Sequence, residues 1–473
     1  MSDDLSIVGL LVALFLPWLC GAVWMNWLLG RTGRKNLFVV LGQGYFIGVF
    51  MTTMLIRLWD AAGFLLDFPA MAAVLLALTV LGIAFSFFYS NTSAAQVTGP
   101  RMASWQVALV TAFIALVAWR HFTMVQELLM RPLFAWDAWM NWAPKAVVWF
   151  HHGALVDFVS AEQWLKQSGN EVYTLGNRQA SIYPIAVSLI QLWSMLGLGT
   201  WDSGGIYLPW IMASIALGLS LYGHLRLAGV PLMAAMIASY LLLSMPYLNV
   251  HSVMAGYADI WLAGAFSLAV YALFEWRHSR SWAHALLWVV FGLMCMQLKN
   301  PGLVLGLIIF ACGLWESLAG HSKIQAGLLG AVVLFSVFAV AIGFSGEIPY
   351  LGNVSLKGGV FDAGRLGQFS VEYHEVGSAF YGTFFEQINW HLMWYLLPFT
   401  IALGLYRNGL KFAVPVEWLA VIGALLFIVF VFVFTRHYIA AVNYVTLNRA
   451  LLYPVPAILF CVFLYFRPPQ ENV

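Results

Sequence analysis

Apolar runs recur from the first ten residues of the chain to its last twenty, separated by short polar stretches. A helix of about 20 mostly apolar residues crosses a bilayer core. Spans are therefore predicted at 6–29, 37–58, 69–89, 103–122, 205–225, 231–249, 251–274, 282–298, 301–318, 324–344, 391–407, 415–434 and 447–466, thirteen in all. The stretch 183–199 is also apolar, but admitting it as a crossing inverts every later loop. It reads as re-entrant or surface-lying, which backbone at that depth tolerates only against protein or beside a cavity. Two long loops remain, roughly 123–182 and 345–390, and they hold most of the polar residues. The expected fold class is an all-α polytopic membrane protein. Its segments are a four-helix part at 1–122, a first loop with amphipathic and re-entrant helices at 123–204, central helices at 205–344, a second loop at 345–390 and three helices at 391–473.

Composition agrees with that pattern: 62% of the 473 residues are hydrophobic and 9% are charged, with a mean hydropathy of +0.85. The net charge of +2 and the lack of a basic block exclude a nucleic-acid surface or a polybasic tail. Cys20, Cys295, Cys312 and Cys461 all fall inside apolar runs, which argues for core residues over disulfides or a thiolate metal site. The first apolar run follows Asp3 and Asp4 without a basic segment, so it reads as a retained helix.

Lys and Arg concentrate in cytoplasmic loops. Arg31, Arg34 and Lys35 place the first loop inside, and alternation then puts Arg101, Arg226, Arg277, Arg280, Lys323, Arg407, Lys411 and Arg467 on the same side. The expected topology is a multi-pass inner-membrane protein with an outside N-terminus, a cytoplasmic C-terminus and both long loops outside. Arg57, Lys299, Arg436 and Arg449 are the exceptions, basic residues in short outside loops.

Residues 131–146, RPLFAWDAWMNWAPKA, carry Trp136, Trp139, Trp142 and Lys145 at every third position, which predicts one shared helical face with Asp137 in an aromatic setting. An interfacial amphipathic helix accounts for the tryptophans. A carboxylate beside indoles at the membrane surface suits a general base. Asp259, in SVMAGYADIWLA, is an acid near the outer end of an otherwise uncharged helix, and such an acid faces a cavity or a partner. Lys299 and Asn300 stand before Pro301 and Gly302 at the start of a helix, a cation at a helix N-terminus that fits a phosphate or simply snorkels. Arg449 begins the last span, and Arg436 with His437 ends the previous one. Guanidinium groups there can hold phosphate oxygens, or Arg449 can pair with Asp259. The string Glu372, Tyr373, His374, Glu375 offers metal donors, but its spacing matches no strong ligand pattern, so no cofactor is expected.

No GxxxxGK[ST], HExxH or GxSxG string is present, which removes primary pumps and the most legible hydrolases. The order WDAWMNWAPKA, then SIYPIAVSLIQLW, then GYADIWLA and LKNPG, resembles the GT-C glycosyltransferase superfamily over about residues 130–310. Protein O-mannosyltransferases and the lipid A aminoarabinose transferase belong to it. The resemblance implies a polytopic enzyme that uses a polyprenyl-phosphate sugar and carries an essential Asp in its first non-cytoplasmic loop, here Asp137. Four predicted spans precede that loop where many members have one, and a lone acid replaces the acidic pair of the mannosyltransferases. Donor identity is therefore not carried over.

On this reading Asp137 takes a proton from an acceptor hydroxyl, while Lys299, Arg449 and Arg436 stabilise the leaving phosphate. Asp259 orients Lys299 or binds sugar hydroxyls. Trp136, Trp139, Trp142, Lys145, Tyr183, Tyr257 and Asn300 are expected to support the site or bind sugar. The partners expected are the donor, membrane lipids and a lipid, glycan or protein acceptor. The rival expectation is a transporter or lipid flippase, for which buried charges among many spans are equally natural.

Overall fold

The computed structural model describes residues 2–89, 102–166, 172–177, 180–348, 352–364, 367–408 and 414–468. Arg101 and Lys411, used in the orientation argument, lie outside the described residues. The chain opens with α1 (Ser2–Gly30), α2 (Leu37–Ala61), α3 (Phe68–Tyr89) and α4 (Ser104–Met130). The first loop carries short helices α5 (Ala143–His152), α6 (Ala161–Lys166) and α7 (Ala186–Leu198). The central part holds α8 (Leu208–Leu227), α9 (Leu232–Leu243), α10 (Pro246–Val253), α11 (Asp259–Ser279), α12 (Trp282–Leu298), α13 (Asn300–Ser317) and α14 (Ser322–Ile342). After the second loop, which includes α15 (Gly377–Tyr381), come α16 (Met393–Asn408), α17 (Val416–Phe434), α18 (Tyr438–Val442), α19 (Leu447–Leu452) and α20 (Val455–Phe463).

Among the described residues, nine helices are long and apolar enough to cross a membrane, or ten if the bent pair α9 and α10 is one broken span. The chain is thus a mostly helical, polytopic membrane protein. The break between α9 and α10 falls at Met245–Pro246: Pro246 lacks the N–H that would continue the helix, and the axis turns by 51°. The run expected at 251–274 starts instead at Asp259, because the chain turns at 254–258 with Gly256 at φ +88°. Helix α4 continues past 122 to Met130.

Burial sorts the helices into centre and rim. Helix α11 is buried over 94% of its best apolar window, and α4 over only 11%. A helix apolar on every side is at home in either setting, packed among neighbours or facing lipid. Around α11 stand α8, α12, α13, α17 and α20. Helices α1 and α2 approach through Gly44 and Gly48, a GxxxG pair on α2 facing Pro17, Gly21 and Ala22 of α1, where any Cβ meets backbone. Helix α7, the 13-residue apolar segment of the first loop, is buried against α1, α2 and α5, and Trp193 Nε1 donates to the carbonyl of Ala13, 2.9 Å. The stretch set aside as re-entrant or surface-lying is thus packed on protein.

The all-α expectation needs one correction. The second loop forms an antiparallel meander of β1 (Phe344–Ile348), β2 (Gly352–Lys357), β3 (Val360–Ala363) and β4 (Gln368–Ser370). Between β2 and β3 both Gly358 (φ +56°) and Gly359 (φ +75°) take positive φ, the two-residue turn that suits a twisted hairpin.

The end of the bundle opposite the α11 N-terminus is fastened by ion pairs. Arg34 Nε donates to the buried Glu275, 2.6 Å; Arg280 pairs with Glu316, 2.5 Å; and Arg277 lies 3.4 Å from Glu417.

Candidate functional site

The candidate site lies where α11 begins, α12 passes into α13, and α19 meets the first loop. Helix α12 runs antiparallel to α11, so its C-terminal Lys299 returns to the level of Asp259. Asp259 is fully buried at the first position of α11 and accepts three hydrogen bonds. Its Oδ1 takes Lys299 Nζ at 2.9 Å and the Tyr453 hydroxyl at 2.8 Å, and its Oδ2 takes Arg449 Nη2 at 2.8 Å. The same Arg449 Nη2 reaches Asp137 Oδ2 at 2.6 Å. One nitrogen thus bridges two carboxylates that are far apart in sequence. Arg449 Nε is buried without a partner. The guanidinium lies 4.4 Å from the centre of the Tyr257 ring, a cation–π contact.

Local sequence explains why Asp137 arrives there. Ala135, Trp136 and Asp137 lead into a five-residue π-turn, Ala138–Trp142, in which the Ala143 N–H donates to Ala138 O. Pro144 follows and has no N–H, so the usual ladder is interrupted at the start of α5. Gly256 supplies the other half of the fit: a Cβ there would stand 2.6 Å from the Ala138 Cβ. Its bareness and positive φ let the turn before α11 press against the π-turn, bringing Asp137 to the head of α11.

The structure brings together Asp137, Asp259, Lys299, Arg449 and Tyr257, and sets Tyr183 beside them. Burial, and after it the Asp137 carboxylate, raises the Tyr183 hydroxyl above its ordinary range. Asn300 opens α13 half-buried next to Lys299. The charged groups are packed on one another, with the Asp137 side chain the most accessible at 17%.

Three expectations are corrected. The tryptophans do not share a face: Trp136 and Trp139 are 58% and 55% exposed, whereas Trp142 is fully buried. The π-turn causes this, since its wider winding breaks the three-residue register assumed for a regular helix. Trp142 packs near Tyr183, and its carbonyl accepts from Ser188 Oγ, 2.9 Å. Lys145 does not point into the site, because its buried ammonium donates to the carbonyls of Ala180, 2.8 Å, and Tyr183, 3.4 Å. Arg436 is exposed in the turn after α17 and makes no ion pair among the described residues.

Burial pushes the Lys145 amine down to about 8 from 10.5. The folded protein therefore holds fewer protons than the unfolded chain between those values, and this residue's contribution to stability rises with pH across that window. Melting curves between pH 7.5 and 10 should show such a rise in the wild type that Lys145→Met lacks. Parallel curves would mean that water reaches the amine.

Sequence reasoning passed over Tyr453, His251 and Gln191. Tyr453 follows Arg449 by four residues, the spacing that puts both on one helical face. His251 Nδ1 lies 4.0 Å from Asp259 Oδ2, and its ring meets Tyr257 and Tyr247. Nothing in the string YLNVHSV marks it. Gln191, on α7, is fully buried with neither amide atom bonded, and its Nε2 faces Gly256. An uncompensated buried amide costs about 1–3 kcal/mol.

In the second loop Tyr373 donates to Glu375, 2.8 Å, and His374 stacks on Tyr438. Among the described residues no group of three His, Cys, Asp or Glu is placed to hold a metal ion.

Two cations and two carboxylates at the end of a bundle can bind an oxyanion through the cations and accept a proton through the more accessible acid. No family model, curated protein or solved structure matches this chain.

Proposed function

We propose that the chain is a GT-C-type glycosyltransferase of the inner membrane, with thirteen crossings and both long loops on the non-cytoplasmic side. It transfers a sugar from a polyprenyl-phosphate carrier to a lipid, glycan or protein hydroxyl. The observation that carries this reading is the meeting of Asp137 with Arg449, and of Arg449 and Lys299 with Asp259, from four separate stretches of sequence. A charge cluster inside an apolar bundle is costly unless it serves a ligand or is fully paired.

In the proposed reaction Asp137 accepts the proton of the acceptor hydroxyl, whose oxygen bonds to the anomeric carbon as the bond to the phosphate oxygen breaks. Arg449 and Lys299 take up the charge that develops on the leaving polyprenyl phosphate. Asp259 and Tyr453 position the two cations. Displacement in one step inverts the anomeric centre. Trp136 and Trp139 offer exposed indole faces to sugar or carrier, and membrane lipid surrounds the rim helices.

The test is a panel of polyprenyl-phosphate sugars given to the purified protein in nanodiscs with lipid, glycan and peptide acceptors. Acceptor-dependent release of polyprenyl phosphate, with an inverted product, is expected. Folded protein that releases none across the panel would contradict the proposal.

A further inference from the structure

The cluster is already neutral within itself: Lys299 and Arg449 face Asp259 and Asp137, two charges of each sign. A phosphate entering it must displace one of the acids. The two are held unequally. Asp259 has no exposed surface and accepts from Lys299, Arg449 and Tyr453. Asp137 sits on a π-turn, keeps 17% of its side chain accessible and has Arg449 as its ion-pair partner. Arg449 meanwhile bridges both acids through one nitrogen, while its Nε has no partner. The displaceable group is therefore Asp137, and the guanidinium has a spare donor with which to receive a phosphate oxygen.

Resting on the function proposed above, we infer that the phosphate of the lipid donor takes Arg449 from Asp137, so that loading the donor is what frees the base. Until then the Asp137 carboxylate is occupied by the Arg449 guanidinium, 2.6 Å away. The exchange is a swap of one anion for another at Arg449, so the charge of the cluster is preserved while the carboxylate swings toward the open side of the site. Binding is consequently ordered, donor before acceptor, and an acceptor hydroxyl that arrives first meets no free base. The same arrangement makes Asp137 a competitor of the ligand: removing its charge should strengthen phosphate binding while ending transfer.

The experiment measures binding of sugar-free polyprenyl phosphate to wild-type protein, Asp137→Asn and Asp137→Ala in nanodiscs, beside a neutral polyprenol control. The wild type should bind the phosphate and ignore the alcohol, and both variants should bind it roughly tenfold more tightly, the effect of one lost competing charge contact. Wild-type binding with unchanged or weaker binding in the variants overturns the exchange while leaving the proposed function standing. If the wild type binds polyprenyl phosphate no better than polyprenol, the functional reading falls, and this inference with it.

Discussion

Asp137→Asn is expected to abolish sugar transfer while leaving the protein folded. The asparagine keeps the shape but cannot accept a proton, and a positioned general base contributes about 10²- to 10⁴-fold. Folding should survive because Arg449 retains Asp259, which supplies the buried part of its pairing. The check is turnover with the active donor from the panel beside a melting curve of the same preparation. Wild-type turnover in a folded Asp137→Asn protein would remove Asp137 from the chemistry.

The second large effect concerns stability. Asp259→Ala leaves Lys299 and Arg449 at the site without their shared carboxylate, and removing one partner of a buried ionic cluster costs about 3–5 kcal/mol. Loss of folded protein in detergent is expected. Asp259→Asn keeps acceptor capacity for Tyr453 and Lys299 and should melt between the two. Adding Lys299→Met to Asp259→Asn removes one orphaned charge and should recover part of the loss, a coupling that a double-mutant cycle measures. A wild-type melting temperature for Asp259→Ala would mean that water already solvates the cations.

Much of this arrangement is legible in the sequence because scarcity is informative inside a membrane. When only 9% of residues are charged, each acid or cation in an apolar run demands a partner, and Asp259, Lys299 and Arg449 satisfy one another. Loop charge set the α7 segment apart, since a crossing at 183–199 inverts every later loop, and the 13-residue helix there is buried against its neighbours. Periodicity failed where the backbone left a regular helix. The π-turn before Pro144 moved Trp142 inward and set Lys145 on loop carbonyls, a change of register that three-residue spacing does not reveal. Gly358–Gly359 was the available signal for the hairpin in the second loop. Gln191 and His251 were hidden for another reason. Their roles come from contacts across the bundle with the turn at Gly256 and with Asp259, and no local pattern encodes such contacts.

The most direct test of the central claim is an experimental structure with polyprenyl phosphate bound. Phosphate oxygens are expected within hydrogen-bonding distance of Lys299 Nζ and the Arg449 guanidinium, with Asp259 still in place and the Asp137 carboxylate withdrawn from Arg449. Phosphate bound elsewhere, with the Asp137–Arg449 contact intact, would contradict it.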